Sequence, residues 1–379
     1  MKIALAGTRG VPAAYSGFET AVEELGSRLA ARGHEVTVYC RPHMVERRQG
    51  GAYKGMRLVY LPTVACKHLD TPVHSLLSTL HLGVVDRPDV AIYFIAGNSP
   101  FAGLSRAFGV PAAINVDGLD SERAKWGPWA RCYLRLTERA APLLASVAVT
   151  DSRTVQELYR SSGWETLFIP YGSELAPDDG NGAAGPDVTL ERFGLTPHDY
   201  VLFVGRLVPE NNAHVLIEAF RRLDTDLRLV VVGDAPYADD YQARLQAAGD
   251  ERVVFTGYQF GRAYRDLLRN AYLMAAPTEV GGTHPVILEA LGAGACIVVN
   301  DHAPNLETIG EAGRSYCGSL GAEDLRRVLE ELLADEQSVE QYRAAALRRA
   351  RAYSWDAVTD AYERLAQQLV AHKRRGRGA

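Results

Sequence analysis

The run Pro277-Thr278-Glu279-Val280-Gly281-Gly282-Thr283-His284-Pro285-Val286-Ile287-Leu288-Glu289-Ala290-Leu291-Gly292 carries the groups best suited to chemistry. Gly281 and Gly282 allow another group to come close to the backbone. Thr283 or His284 is placed to cap a helix, and Pro285 suits its first turn. Such a helix start offers unpaired N–H groups and the positive end of a dipole, which attract phosphate. Glu289 lies about one turn further on, where its carboxylate can face the same pocket and accept hydroxyl hydrogen bonds. Phosphate at the turn and hydroxyls at the Glu describe a nucleotide. Any strand–turn–helix corner of an α/β protein has the same outline, so the stretch does not decide the matter alone.

Three other loops hold candidate groups. Arg206 stands in Gly205-Arg206-Leu207-Val208-Pro209-Glu210-Asn211-Asn212, and a guanidinium can bind phosphate through two parallel hydrogen bonds. Asp117 lies in Asn115-Val116-Asp117-Gly118-Leu119-Asp120, with Arg123, Lys125 and Trp126 close behind. Arg9 lies in Gly7-Thr8-Arg9-Gly10-Val11-Pro12, the start of a long loop that runs on to Gly17, Phe18, Glu19 and Thr20. Gly7 and Gly10 are spaced wrongly for the dinucleotide fingerprint, and the loop is too long for it, which argues against a dehydrogenase.

These loops need strands before them and helices after them, and the apolar periodicity supplies both. The first half reads as strands at 2–6, 35–40, 57–61, 90–95, 112–116, 146–149 and 166–169. Helices are expected at 17–31, 99–108, 128–144 and 152–161. The stretch 174–199 is rich in Gly, Pro, Ala and Asp and reads as a linker. Beyond it the βα rhythm restarts, with strands at 200–204, 227–232, 253–256, 272–276 and 296–300 and helices at 212–223 and 262–270. The last third is helical, at 322–333, 339–352 and 355–372. Val358, Tyr362, Leu365 and Leu369 form an apolar stripe on the final helix. The expected division is 1–173, linker 174–199, 200–352, and a closing segment 353–379. Two open α/β sheets offer a cleft for a small molecule, with closure about the linker.

A chain of 379 residues suits two domains, and 47% apolar with 23% charged residues is ordinary for a soluble globular protein. A net charge of −5, without a basic stripe interleaved with aromatics, gives no sign of nucleic-acid binding. Five scattered cysteines without a CxxC pair disfavour a zinc site or a disulfide framework. No signal peptide or membrane-spanning run is recognisable, so a cytoplasmic location is expected, with the inner face of the membrane as one option within it. The tail Lys373-Arg374-Arg375-Gly376-Arg377 is either a frayed, solvated end or a weak attraction to an anionic membrane surface.

Taken together, the motifs resemble the retaining glycosyltransferases of family 4, and within them the rhamnosyltransferase-like branch. The residues that carry the likeness span nearly the whole chain: Gly7–Pro12 with Gly17–Thr20, Asn115–Leu119 with Arg123–Gly127, Ile169–Gly172, Gly205–Asn212, Val232–Tyr237, Glu279–Ala290 and Tyr353–Trp355. The resemblance implies the GT-B fold, two Rossmann-like domains facing across a cleft, with a C-terminal helix crossing back to the N-terminal domain. It places the acceptor on the N-terminal domain and the donor nucleotide on the C-terminal one. Three positions depart from the broader family: Gly281 stands for the first of two Glu, Asn211 for a Lys, and Asp117 for a His. Glu279 is displaced by two residues from the usual register.

The expected donor is a nucleotide hexose, dTDP- or UDP-linked, with dTDP-L-rhamnose as a specific candidate. The acceptor is a saccharide, a lipid-linked saccharide or a natural product. No metal or other cofactor is expected, so cationic side chains and helix starts must carry the charge of the leaving diphosphate. Arg206 is assigned to that charge, with Arg9, Gly17, Asn211, Gly281, Gly282, Thr283 and His284 around the nucleotide and Glu289 on the ribose. Asp117 either touches the donor sugar, takes the acceptor proton, or is only a turn residue before Gly118. Glu279 either contacts the sugar or orients the turn. The resemblance implies front-face attack by the acceptor, deprotonated with help from the departing phosphate. Two other readings are a catalytically silent nucleotide-sugar-binding protein and a nucleotide-sugar epimerase.

Overall fold

Strands that read as unbroken apolar runs are buried on both faces, as expected of parallel sheets covered by helices. The computed structural model describes residues 1–13, 17–46, 49–66, 69–118, 120–123, 126–174, 188–235 and 239–377. Lys125 and positions 175–187 of the expected linker lie outside the described residues. The chain forms two compact units. The first comprises Met1–Gly172, Gly281–Thr283 and Trp355–Ala379, and the second comprises Ser173–Val280 and His284–Ser354.

In the first unit the elements run β1 (Lys2–Ala6), α1 (Gly17–Ala31), β2 (Glu35–Cys40), β3 (Ala52–Tyr53), β4 (Met56–Tyr60), α2 (Asp70–His81), β5 (Val90–Phe94), α3 (Ser99–Ala107), β6 (Ala112–Asn115), α4 (Pro128–Leu144), β7 (Val147–Thr150), α5 (Arg153–Ser161) and β8 (Leu167–Phe168). The strand order is β3-β4-β2-β1-β5-β6-β7-β8, parallel except for the β3–β4 pair. Ala4, Tyr39, Ala91, Tyr93, Ile114 and Ala148 belong to one apolar cluster of this unit.

The second unit holds α6 (Val188–Phe193), β9 (Tyr200–Val204), α7 (Ala213–Arg221), β10 (Arg228–Val232), α8 (Asp239–Ala248), β11 (Val253–Gly257), α9 (Gly261–Arg269), β12 (Leu273–Ala276), α10 (Pro285–Ala293), β13 (Ile297–Asn300), α11 (Ala303–Ile309), β14 (Arg314–Tyr316), α12 (Ala322–Leu333) and α13 (Glu336–Ala350). Its strand order is β11-β10-β9-β12-β13-β14, all parallel. The last helix, α14 (Trp355–Arg377), belongs to the first unit.

Two expectations are corrected. Residues 188–193, inside the stretch read as a linker, form α6, with Leu190 buried. The basic tail, one reading of which was a frayed end, continues α14 through Arg377. On α14, Val358, Tyr362, Leu365 and Leu369 are buried, as the stripe predicts. Arg32 of α1 holds Asp360 and Glu363 at 2.7 and 2.8 Å, and Asn115 Nδ2 donates to Tyr362 Oη at 3.0 Å. Trp355 lies so close to Gly172 that a Cβ there would meet its indole at 2.3 Å.

Candidate active site

In both units the candidate groups follow the carboxyl ends of strands, the usual side for a ligand in an open α/β sheet, and in the second unit they collect where the strand order reverses. In the second unit that point lies between β9 and β12, which pair side by side. Arg206 follows β9, and Glu279 to His284 follow β12. The turn after β9 is held tightly: Asn211 Nδ2 donates to the Arg206 carbonyl at 2.8 Å, and Asn212 Nδ2 donates to the Pro277 carbonyl at 3.1 Å. Gly233 fits at φ +141°, where a Cβ would fall 1.9 Å from the Gly205 carbonyl oxygen, so only glycine lets the ends of β9 and β10 meet. Asn211 therefore uses its amide to brace the turn that carries Arg206. The Arg206 side chain is half-buried, and among the described residues no group pairs with its guanidinium.

His284 precedes α10 but does not cap it, and Thr283 directs its hydroxyl elsewhere. The expected side-chain cap is thus corrected. His284 Nδ1 meets Asn305 Oδ1 at 2.8 Å and Nε2 meets the Val280 carbonyl at 3.2 Å. Asn305 Nδ2 donates to the Thr278 carbonyl at 2.8 Å, which fixes that amide with its oxygen toward the imidazole. Both ring nitrogens then face oxygens, which fixes the orientation of the ring. On α10, Glu289 Oε2 accepts from Tyr264 Oη of α9 at 2.5 Å. Burial, then the Glu289 charge, hold the Tyr264 phenol well above its ordinary range, so it stays a donor. Glu279 is exposed, and its N–H reaches the Glu210 carbonyl only at 3.5 Å.

In the first unit the Arg9 guanidinium lies 3.6 Å from the buried Glu19 carboxylate, which also accepts the Arg9 N–H at 3.0 Å. Glu19 thus ties the first loop to α1, and Arg9 is engaged within its own unit. Gly17 is the first residue of α1. Asp117 is buried at φ +53°, and its N–H donates to Asn115 Oδ1 at 3.0 Å, so the side chain that braces this turn is that of Asn115. Arg123 binds Asp120 at 2.7 Å.

The residue that the sequence reading missed is Asp151, at the end of β7. Its Oδ2 accepts from Thr283 N–H at 3.0 Å, and its carbonyl accepts from the Thr283 hydroxyl at 3.0 Å. Its carboxyl lies against that of Asp117. Burial, then the Asp120 charge, push Asp117 up to about 6. Burial, then the Asp117 charge, push Asp151 well above the carboxylate range. Two buried carboxyls that lie against each other disfavour double ionisation, so both are pushed toward the protonated form. Gly118 packs onto Gly281 and Gly282, where a Cβ would fall 2.3 Å from the Gly282 nitrogen. The only local sign of Asp151 is its place between a strand and Ser152, the N-cap of α5. Tyr264 gave none, because it meets Glu289 from another helix.

Comparison with known proteins accords with this layout. The Glycosyl transferase 4-like domain model matches residues 16–172, and the Glycosyl transferases group 1 model matches residues 192–349. An alpha-D-kanosaminyltransferase of Streptomyces kanamyceticus is 25% identical over 52% of this chain and 54% of its own. A GDP-mannose-dependent alpha-(1-6)-phosphatidylinositol monomannoside mannosyltransferase of Mycolicibacterium smegmatis is 28% identical over 90% of each chain. The matches to the first curated relatives span about half of those proteins' length. In fold, the sucrose-phosphate synthase of Thermosynechococcus elongatus superposes with a TM-score of 0.79 at 18% identity, over 98% of this chain and 99% of that one. By its two domains, the chain belongs to the GT-B glycosyltransferases of the family 4 type.

Proposed function

We propose that the protein transfers a hexose from a nucleotide sugar to a saccharide, lipid-linked or natural-product acceptor, without a metal and with retention. The observation that carries this reading is the half-buried Arg206 guanidinium, without a partner among the described residues, at the switch point of the second sheet. A diphosphate is the ligand that such a fork suits, and His284 is proposed to lie beside the leaving group. Glu289, oriented by Tyr264, accepts the ribose hydroxyls. We propose dTDP-L-rhamnose as the donor. Gly281 sits at φ +132°, where a side chain is strained, so no Glu reads a sugar hydroxyl from that position. A deoxy sugar has fewer hydroxyls to read. Asp117, with Asp151 behind it, is the group proposed to meet the sugar. The acceptor classes follow the names of the relatives, one of which acts on a phosphatidylinositol mannoside.

The test is thermal-shift binding across dTDP-, UDP- and GDP-sugars, followed by transfer assays with and without EDTA. The expected result is stabilisation by dTDP-rhamnose, transfer indifferent to EDTA, and a kcat roughly 100- to 1000-fold lower in Arg206→Ala. Stabilisation by a UDP-sugar alone would remove rhamnose. Binding with neither transfer nor hydrolysis would favour a silent binding protein.

A further inference from the structure

Helix α4 turns Leu134, Thr137, Glu138 and Ala141 inward. Leu134 and Ala141 suit a core, but Glu138 is an acid and is only 5% exposed. Withdrawing a carboxylate from water costs free energy unless its oxygens find donors. Here both do. Oε1 accepts from the Ser121 N–H at 2.9 Å, and Oε2 accepts from the Ser121 hydroxyl at 2.7 Å. Burial raises the Glu138 carboxyl above its ordinary value, and the two Ser121 bonds pull it back. Ser121 is itself buried, in the single helical turn Asp120–Glu122.

The helix is fixed at the same level. The Thr137 carbonyl accepts from Ser99 Oγ of α3 at 2.8 Å, and the Glu138 carbonyl accepts from Tyr159 Oη of α5 at 3.1 Å. Two successive carbonyls thus hold α4 to its neighbours, and the Glu138 side chain passes that fixed position to the loop after β6. The same loop carries Asp117. Asn115 braces it on the strand side, Gly118 lies on Gly281 and Gly282, and Ser121 is the buried anchor on the far side. An apolar residue at 138 would serve the core without the cost of burying a charge, so the acid answers a need of the loop. We propose that Glu138 is a positioning residue for sugar transfer, whose carboxylate sets the loop that presents Asp117. The proposal rests on the sugar contact assigned to Asp117 above.

The experiment measures release of nucleoside diphosphate from a panel of dTDP-, UDP- and GDP-hexoses, and compares variants of the full chain on the donor that turns over fastest. Glu138→Ala leaves the Ser121 N–H buried without its acceptor and should lower kcat roughly 10- to 100-fold, with KM for the donor little changed. Glu138→Gln keeps an acceptor for that N–H and offers its amide to the Ser121 oxygen, so it should recover most of the loss. In an Asp117→Asn background, Glu138→Ala should cost nothing further, because the two residues act as one unit. Ser121→Ala removes one bond only, and replaces Glu138→Ala in these comparisons if the latter does not fold. A loss that adds in full to that of Asp117→Asn, or that Glu138→Gln does not restore, would overturn the proposal. Parent-like kcat in Glu138→Ala beside a slowed Asp117→Asn would overturn it while leaving the sugar contact standing. Parent-like kcat in Asp117→Asn would instead remove the sugar contact, and the positioning role with it. If no donor of the panel turns over, hydrogen exchange decides: parent-like protection of the Ser121 amide in Glu138→Ala would overturn the clamp, and lost protection would support it.

Discussion

Asp151 holds the backbone of Thr283 and lies against Asp117, so a change in the ionisation of this pair is felt by a loop and by a candidate sugar contact together. Both carboxyls sit above their ordinary value of 3.8, so folding favours their protonated forms. Each contribution is complete below the unfolded value; that of Asp117 is lost as pH rises through about 6, and that of Asp151, which is also raised, is lost as pH rises through its own raised value. Asn at 151 keeps an acceptor for Thr283 and gives Asp117 a permanent donor. We expect Asp151→Asn to flatten the loss of melting temperature between pH ~4 and ~6.5 and to raise it by about 2–4 °C at neutral pH. Calorimetry across that range checks this, and an unchanged profile would show that the pair does not govern it. Residue types and spacing put forward Arg206, Glu289 and Asp117 as candidates. They could not reveal Asp151 or Tyr264, because a hydrogen bond spanning 132 or 25 residues leaves no periodic trace.

At the scale of elements, the contact of Gly118 with Gly281 and Gly282 is the most exacting. The atoms a methyl group would meet are backbone atoms, at 2.3 and 2.5 Å, and cannot rotate away. Gly118→Ala should destabilise the first unit by about 1–3 kcal/mol, read as a lower melting temperature, and should cut transfer several-fold. A variant that melts and turns over like the parent would mean the two loops are not held together. Buried parallel strands were legible because nothing else needs such unbroken apolar runs; β1, β9 and β12 are examples. Helices α1, α4 and α12 were legible from their stripes. By contrast α2 was not assigned, since its buried side carries His74, Ser75, Ser78 and Thr79 in place of an apolar stripe. Strand β14 is three residues long, too short for alternation to register.

At the scale of the molecule, the first unit is made from both ends of the chain and the second from one nearly continuous piece. Val358, Tyr362, Leu365, Ala366, Leu369 and Val370 of α14 are buried. The larger of them are worth roughly 1.5–3 kcal/mol each, against a typical total of about 5–15 kcal/mol for a domain. Ending the chain after Ser354 should therefore strip hydrogen-exchange protection from β1 and β5 while β9 and β12 keep theirs. Protection retained in β1 and β5 would show the helix to be dispensable. The same arrangement bears on biosynthesis. A ribosome delivers the first sheet before the second unit and α14 after it, so every residue of the second unit is available before the first can finish. The nascent N-terminal half must wait, with an apolar seam uncovered, through the synthesis of an entire neighbour, which makes that interval the point in the protein's life when aggregation and chaperone capture compete with folding.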